Sequence, residues 1–96
     1  MDKFFKIHPQ DNVAVAVETL PKGTILNLAG KEITTKADIP AGHKVALVDI
    51  AQGTPVVKYG FPIGNAKTAI AAGDWVHTHN VHSRLGKLLE YTYEPV

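Results

Sequence analysis

Cysteine is absent from the 96-residue chain. That excludes a disulfide framework, a thiolate zinc site and a cysteine nucleophile. A large surplus of charge is missing too. Ten Lys and Arg stand against nine Asp and Glu, a formal net charge of +1, so there is no broad basic field for nucleic acid. No apolar run approaches the roughly 18–20 residues of a membrane span. The start, Met1-Asp2-Lys3-Phe4-Phe5-Lys6, is too short and too charged to read as a signal peptide. A cytoplasmic chain with no nucleic-acid and no membrane partner is the expectation. Its length suits one domain (residues 1–96, with a core at about 7–80 and a tail at 81–96), burying roughly 60–65% of the unfolded chain's surface.

What the chain does have is a repeat. An apolar-x-x-Gly unit occurs at Leu20-Pro21-Lys22-Gly23, Ile39-Pro40-Ala41-Gly42, Ile50-Ala51-Gln52-Gly53 and Ile70-Ala71-Ala72-Gly73. The glycines are 19, 11 and 20 residues apart, and alternate glycines are 30 and 31 apart. That pattern predicts a duplication, with halves at about 20–49 and 50–80. Each unit reads as a tight turn with glycine at positive φ. A strand is expected after each, at 24–26, 43–47, 54–59 and 74–79. The run 12–17 and the segment 33–35 also read as strands. Residues 59–66 read as an irregular bend, because Pro62 cannot donate to a ladder and Gly60 and Gly64 break regularity. Helical spacing is confined to 68–72, taken as a turn, and 83–90, where one helical turn is possible. The expected fold class is all-β, a small folded-over barrel or sandwich with pseudo-two-fold internal symmetry.

His77-Thr78-His79-Asn80 closes the last unit. If residues 74–79 form a regular strand, His77 and His79 share a face, roughly 6.5–7 Å apart along it. Two such imidazoles can share a metal, hold an anion when protonated, or divide acid and base work. They can also be solvated side chains at a strand end. Trp75 would share their face as core, pocket wall or interface residue. His43 and Lys44 follow the Gly42 turn and point to opposite faces, the imidazole suited to proton transfer and the ammonium to a carboxylate. Asp11 and Asn12 either order a loop through their own backbone or bind substrate hydroxyls. Lys58 and Tyr59 offer a cation and a phenol beside Gly60, with Tyr59 alternatively a core residue bonded at the rim. His8 and His82 read as solvated. Leu85, Leu88, Leu89, Tyr91 and Tyr93 give the tail more apolar area than a free tail needs.

Four stretches together resemble a known family. They are residues 11–16, 39–47, 58–64 (Lys58-Tyr59-Gly60-Phe61-Pro62-Ile63-Gly64) and 76–80 (Val76-His77-Thr78-His79-Asn80). In matching order over about 7–80, they resemble the SAF domain of altronate and galactarate dehydratases. The same module occurs as a stand-alone small subunit of some altronate dehydratases and of sulfolactate sulfo-lyase. The resemblance implies a β-clip fold. It also implies a carbon–oxygen or carbon–sulfur lyase, removing water from a sugar acid or sulfite from a sulfonated hydroxy acid, with a divalent metal, Fe2+ or Mn2+. On it, His43, His77 and His79 are the expected catalytic residues, with His77 and His79 as metal ligands. Asp11, Asn12, Lys44, Lys58, Tyr59 and Asn80 are the expected substrate-binding residues. The chain offers too few metal ligands alone, so a large catalytic subunit is the expected partner; a homo-oligomer is possible. The rival expectation is a non-catalytic sugar-acid-binding or assembly module.

Overall fold

A computed structural model describes residues 3–83. Its strands in order are β1 (Phe4–Phe5), β2 (Val13–Ala16), β3 (Ile25–Leu28), β4 (Lys31–Thr34), β5 (Lys44–Ala46), β6 (Pro55–Lys58), β7 (Phe61–Ala66), β8 (Trp75–Val76) and β9 (Val81–Ser83). Among the described residues there is no helix, and the fold is all-β. The strands form three small sheets, ordered β1-β2-β5-β8, β3-β4 and β6-β7-β9.

Alternation along the central sheet decides what each hairpin covers. Ala14, Ala16 and Val45 project from one face into a cluster with Leu26 and Ile33 of the β3-β4 hairpin. Val13, Ala46 and Val76 project from the other face against Val56, Ile63, Ala66 and Val81 of the β6-β7-β9 sheet. The first sheet is thus sandwiched between two hairpin layers. Each fully buried aliphatic side chain contributes roughly 1.5–3 kcal/mol of transfer free energy.

The duplication is visible residue by residue. The leading apolar residues of the four turn units pair with one another, Leu20 with Ile39 and Ile50 with Ile70. Each bridge makes two backbone hydrogen bonds of 2.7–2.8 Å. All four unit glycines have φ between 83° and 93°. Both hairpins close through two-residue turns with positive φ at both positions, Ala29-Gly30 and Tyr59-Gly60, the turn whose twist matches paired strands. The hydroxyls of Thr24 and Thr54 donate to the carbonyls of Pro21 and Ala51, each at 2.6 Å.

Two local expectations are corrected. The strand expected at 74–79 is β8, which ends at Val76, and residues 77–80 form a turn in which the Asn80 N–H donates to the His77 carbonyl at 3.1 Å. Strand alternation therefore does not govern His77 and His79. Residues 61–66, read as an irregular bend, are strand β7, paired on both sides. Pro62 is accommodated beside a register shift opposite Val56 and Val57, where a bulge removes the need for a regular ladder bond. Gly64 is required there because a Cβ would strike the His82 carbonyl of β9. That strand, Val81–Ser83, continues the sheet into the segment read as tail. The possible helical turn at 83–90 and the apolar residues from Leu85 onward lie outside the described residues.

Candidate functional site

Antiparallel pairing brings the histidines together. Strands β5 and β8 lie side by side, with Lys44 opposite Val76 and Val45 opposite Trp75. The residue entering β5, His43, therefore sits at the same end of the sheet as the turn leaving β8. The rings of His43 and His77 are 4.8 Å apart between centroids. Trp75 is the ring they share. His77 stacks on it at 5.7 Å with an interplanar angle of 5°, and His79 tilts against it at 5.0 Å. His43 lies 5.7 Å away. The indole Nε1–H of Trp75 donates to His43 Nδ1 at 3.2 Å. With Nδ1 accepting, the neutral ring of His43 carries its proton on Nε2. His43 and His77 are half-buried and His79 is exposed, so the cluster forms an open edge rather than an enclosed cavity.

Asn80 shapes that edge. Its Oδ1 accepts from the His77 N–H at 3.0 Å, and its Nδ2 donates to the Trp75 carbonyl at 2.9 Å. Those bonds set the turn carrying His77 and His79, and they commit the amide to backbone groups.

The remaining expected residues gather elsewhere. Lys44 projects from the opposite face to His43, flanked through the strand register by Val15 and Val76. Its residue exposure is 5%. Burial, with Lys58 as a neighbouring cation, pushes its pKa down to about 8. The Lys58 ammonium lies 4.8 Å from the centroid of the Tyr59 ring. Tyr59 is 54% exposed at the hairpin tip, not in the core. The buried Asp11 carboxylate accepts from the N–H groups of His8 at 3.0 Å and Gly60 at 2.8 Å. Asn12 accepts from Val57 N–H at 2.7 Å and donates to the Pro55 carbonyl at 3.1 Å. Asp11 and Asn12 thus clamp the β6-β7 hairpin. His8, read as solvated, lies with its ring against Gly60 and takes the Gln10 N–H on Nδ1; His82 is exposed.

A catalytic metal takes about three protein ligands and keeps one position open. Among the described residues, no three His, Asp or Glu side chains converge to hold one. The imidazoles are spread around an indole, and the described carboxylates near them in sequence are turned to backbone. Asp74 accepts from Ala71 N–H at 2.8 Å and Asp49 from Ala72 N–H at 2.9 Å. A shallow cavity of about 400 Å³ lies between those two aspartates beside the Ile50–Ile70 bridge, and none of the expected site residues lines it.

The residue whose importance sequence reasoning understated is Trp75. Its place two positions before His77 put it on their expected face, yet its shared contact with all three imidazoles depends on the β5-β8 register.

Residues 2–84 match the family described as the altronate/galactarate dehydratase SAF domain. The chain is 47% identical over 93 residues to altronate dehydratase of Escherichia coli (strain K12), covering 97% of this chain and 19% of that enzyme. It is 41% identical over 75 residues to galactarate dehydratase (L-threo-forming) of the same strain, covering 76% of this chain and 14% of that enzyme. It is 34% identical over 88 residues to (2R)-sulfolactate sulfo-lyase subunit alpha of Chromohalobacter salexigens, covering 83% of this chain and 94% of that subunit. The chain therefore spans about a fifth of the altronate dehydratase and nearly all of the sulfo-lyase subunit.

Proposed function

The chain belongs to the altronate/galactarate dehydratase SAF-domain family, and from that premise we propose that it is the small component of a lyase completed by a larger polypeptide. The reaction is elimination of water from a sugar acid such as altronate or galactarate, or of sulfite from sulfolactate. Its relatives are lyases, and one of them is a subunit of nearly this chain's length. The observation that carries the reading is the gathering of His43, His77 and His79 around Trp75 at one open edge. An edge of that kind suits a site closed by another surface.

Elimination beside a carboxylate needs a base for the α-proton and an acid for the departing group. His43, whose neutral ring carries its proton on Nε2, donates that N–H as a hydrogen bond to the departing hydroxyl, which leaves as water with a proton delivered by the imidazolium form of His77 or His79. His77 and His79, presented by the Asn80-held turn, are the candidates for the base, since a neutral imidazole nitrogen can take the α-proton. Lys44, Lys58 and Tyr59 supply charge and hydrogen bonding for an acid substrate. If a divalent metal takes part, His77 and His79 are the donors this chain offers, and the partner provides the rest. Bound there, a divalent cation would polarise oxygens of the substrate.

The test is co-purification with a large dehydratase-family polypeptide, followed by assays on altronate, galactarate and sulfolactate. Turnover is expected only when both chains are present. Full turnover by the chain alone, or no association with that polypeptide, would overturn the reading.

A further inference from the structure

The turn that carries His77 and His79 is held from a second side by Lys67. Strand β7 ends at Ala66, opposite Val81 of β9, so antiparallel pairing brings the next residue, Lys67, against Asn80. The Lys67 N–H donates to the Asn80 carbonyl at 2.8 Å. Its Nζ donates to the Thr78 carbonyl, also at 2.8 Å, at an exposed position. Thr78 lies between the two histidines, and standard peptide dimensions put the ammonium within about 6 Å of the His79 Cα. An ammonium carries three donors. The Thr78 carbonyl takes one, which leaves two for a ligand at the imidazole edge.

The duplication supplies a comparison. Lys36 is the equivalent residue, 31 positions earlier. The residues just before the two lysines, Thr35 and Ala66, donate in the same way to the carbonyls of Thr24 and Thr54, each at 2.9 Å. The Lys36 N–H meets the Gly73 carbonyl instead of a histidine-bearing turn. Of two lysines in one structural position, Lys67 is the one whose ammonium is tied to the imidazoles.

Elimination takes its proton from the carbon bonded to the carboxylate, so the cation that holds that carboxylate has to lie beside the base. Lys44 projects from the face opposite His43, and Lys58 stands beside Tyr59 at the β6-β7 hairpin. Neither is tied to the turn at residues 77–80. Resting on the lyase reading, we propose that Lys67 is the cation that holds the carboxylate of the acid substrate at the imidazole edge. As His77 or His79 takes the α-proton, the electron pair of the C–H bond shifts toward the carboxylate oxygens. The Lys67 ammonium meets that growing charge with the donors Thr78 leaves open.

Three variants separate this role from a brace on the turn. Lys67→Gln keeps a side-chain donor for the Thr78 carbonyl but removes the charge, Lys67→Arg keeps both, and Lys36→Met removes the equivalent cation of the other half. In the full chain alone, the amide resonances of Thr78 and His79 are followed through titrations with lactate and with its uncharged methyl ester at constant ionic strength. Wild type, Lys67→Arg and Lys36→Met should shift saturably with lactate and not with the ester. Lys67→Gln should bind lactate about tenfold more weakly or worse, as expected when a charge-assisted bond is lost. In the assembled pair, Lys67→Gln should lose about 100-fold in kcat/KM and Lys67→Arg less than about tenfold. No saturable lactate shift in wild type, or lactate binding undiminished in Lys67→Gln, would overturn the proposal whether or not the pair turns over. An active pair whose kcat/KM is unchanged by Lys67→Gln would overturn it and leave the lyase reading standing. Lactate binding that depends on Lys67, in a pair without turnover, would support the carboxylate site and overturn the lyase reading.

Discussion

Replacing Lys44 by methionine should stabilise the isolated chain. Methionine keeps the unbranched stem that lies between Val15 and Val76 and removes a charge the fold does not neutralise. The folded-state pKa is pushed down to about 8 from an ordinary 10.5. At roughly 1.4 kcal/mol per pKa unit, that gap sets a ceiling of about 3.5 kcal/mol for the cost of holding the charge at neutral pH. Since the ammonium end reaches solvent, about half of that is the better figure. The expected gain at pH 7 is ~1–2 kcal/mol, a rise in Tm of roughly 5–10 °C for a domain of this size. The pH dependence has a definite sign. Below about pH 8 both states hold the proton. Between about 8 and 10.5 the folded chain has released it while the unfolded chain retains it, so wild-type stability rises with pH across that window and then levels. Urea denaturation at several pH values measures both effects. The variant should lack that rise. A Lys44→Met chain less stable than wild type at pH 7, or a wild-type curve with no Lys44-dependent rise, would refute the reasoning.

Other consequences of the structure are measurable in the same way. Gly42 and Gly73 are pseudo-equivalent, but only Gly73 faces backbone, the Thr34 carbonyl, where a Cβ would sit. Gly42→Ala should cost about 1–2 kcal/mol for its left-handed backbone alone, and Gly73→Ala about 3 kcal/mol or more because the Thr34–Thr35 backbone must also move. Equal losses in denaturant titrations would contradict that difference. Trp75→Phe removes the donor to His43 Nδ1 while keeping a ring; imidazole 15N shifts should show the His43 tautomer moving from Nε2–H toward a mixture, and an unchanged tautomer would count against the Trp75 assignment. Asn80→Ala should loosen the turn at residues 77–80 and cost about 1–2 kcal/mol for two lost hydrogen bonds, read as faster amide exchange at His77; unchanged protection would show the turn stands without it.

Much of the fold was legible because the repeat is written in residues with one strong conformational use. The four unit glycines all sit at positive φ, and their leading apolar residues pair two by two. The failures came where pairing overrides local pattern. Pro62 and Gly64 read as breakers, but a register shift and the close approach of β9 make them fit a strand. The His-x-His pair read as a strand because Trp75 and Val76 lead into it, and the Asn80 side chain turns the chain instead. His43 and His77 are 34 residues apart in sequence. Their proximity follows from β5-β8 pairing, which composition and spacing do not specify. Asp11, Asn12 and Asn80 show the limit of reading residue types, since a side chain able to bind a hydroxyl is equally able to hold a backbone turn, and here all three do the second.

The central claim is that this chain brings His43, His77 and His79 to a lyase site completed by a larger polypeptide. Its most direct test is the elimination rate of the assembled pair, measured at saturating sugar acid or sulfolactate with wild-type, His43→Ala and His77→Ala small chains. Each variant should associate normally and lose about 100-fold or more in kcat, the scale of a missing acid or base. Assembled pairs that turn over at the wild-type rate with either histidine gone, or a large polypeptide equally active with the small chain omitted, would contradict the account.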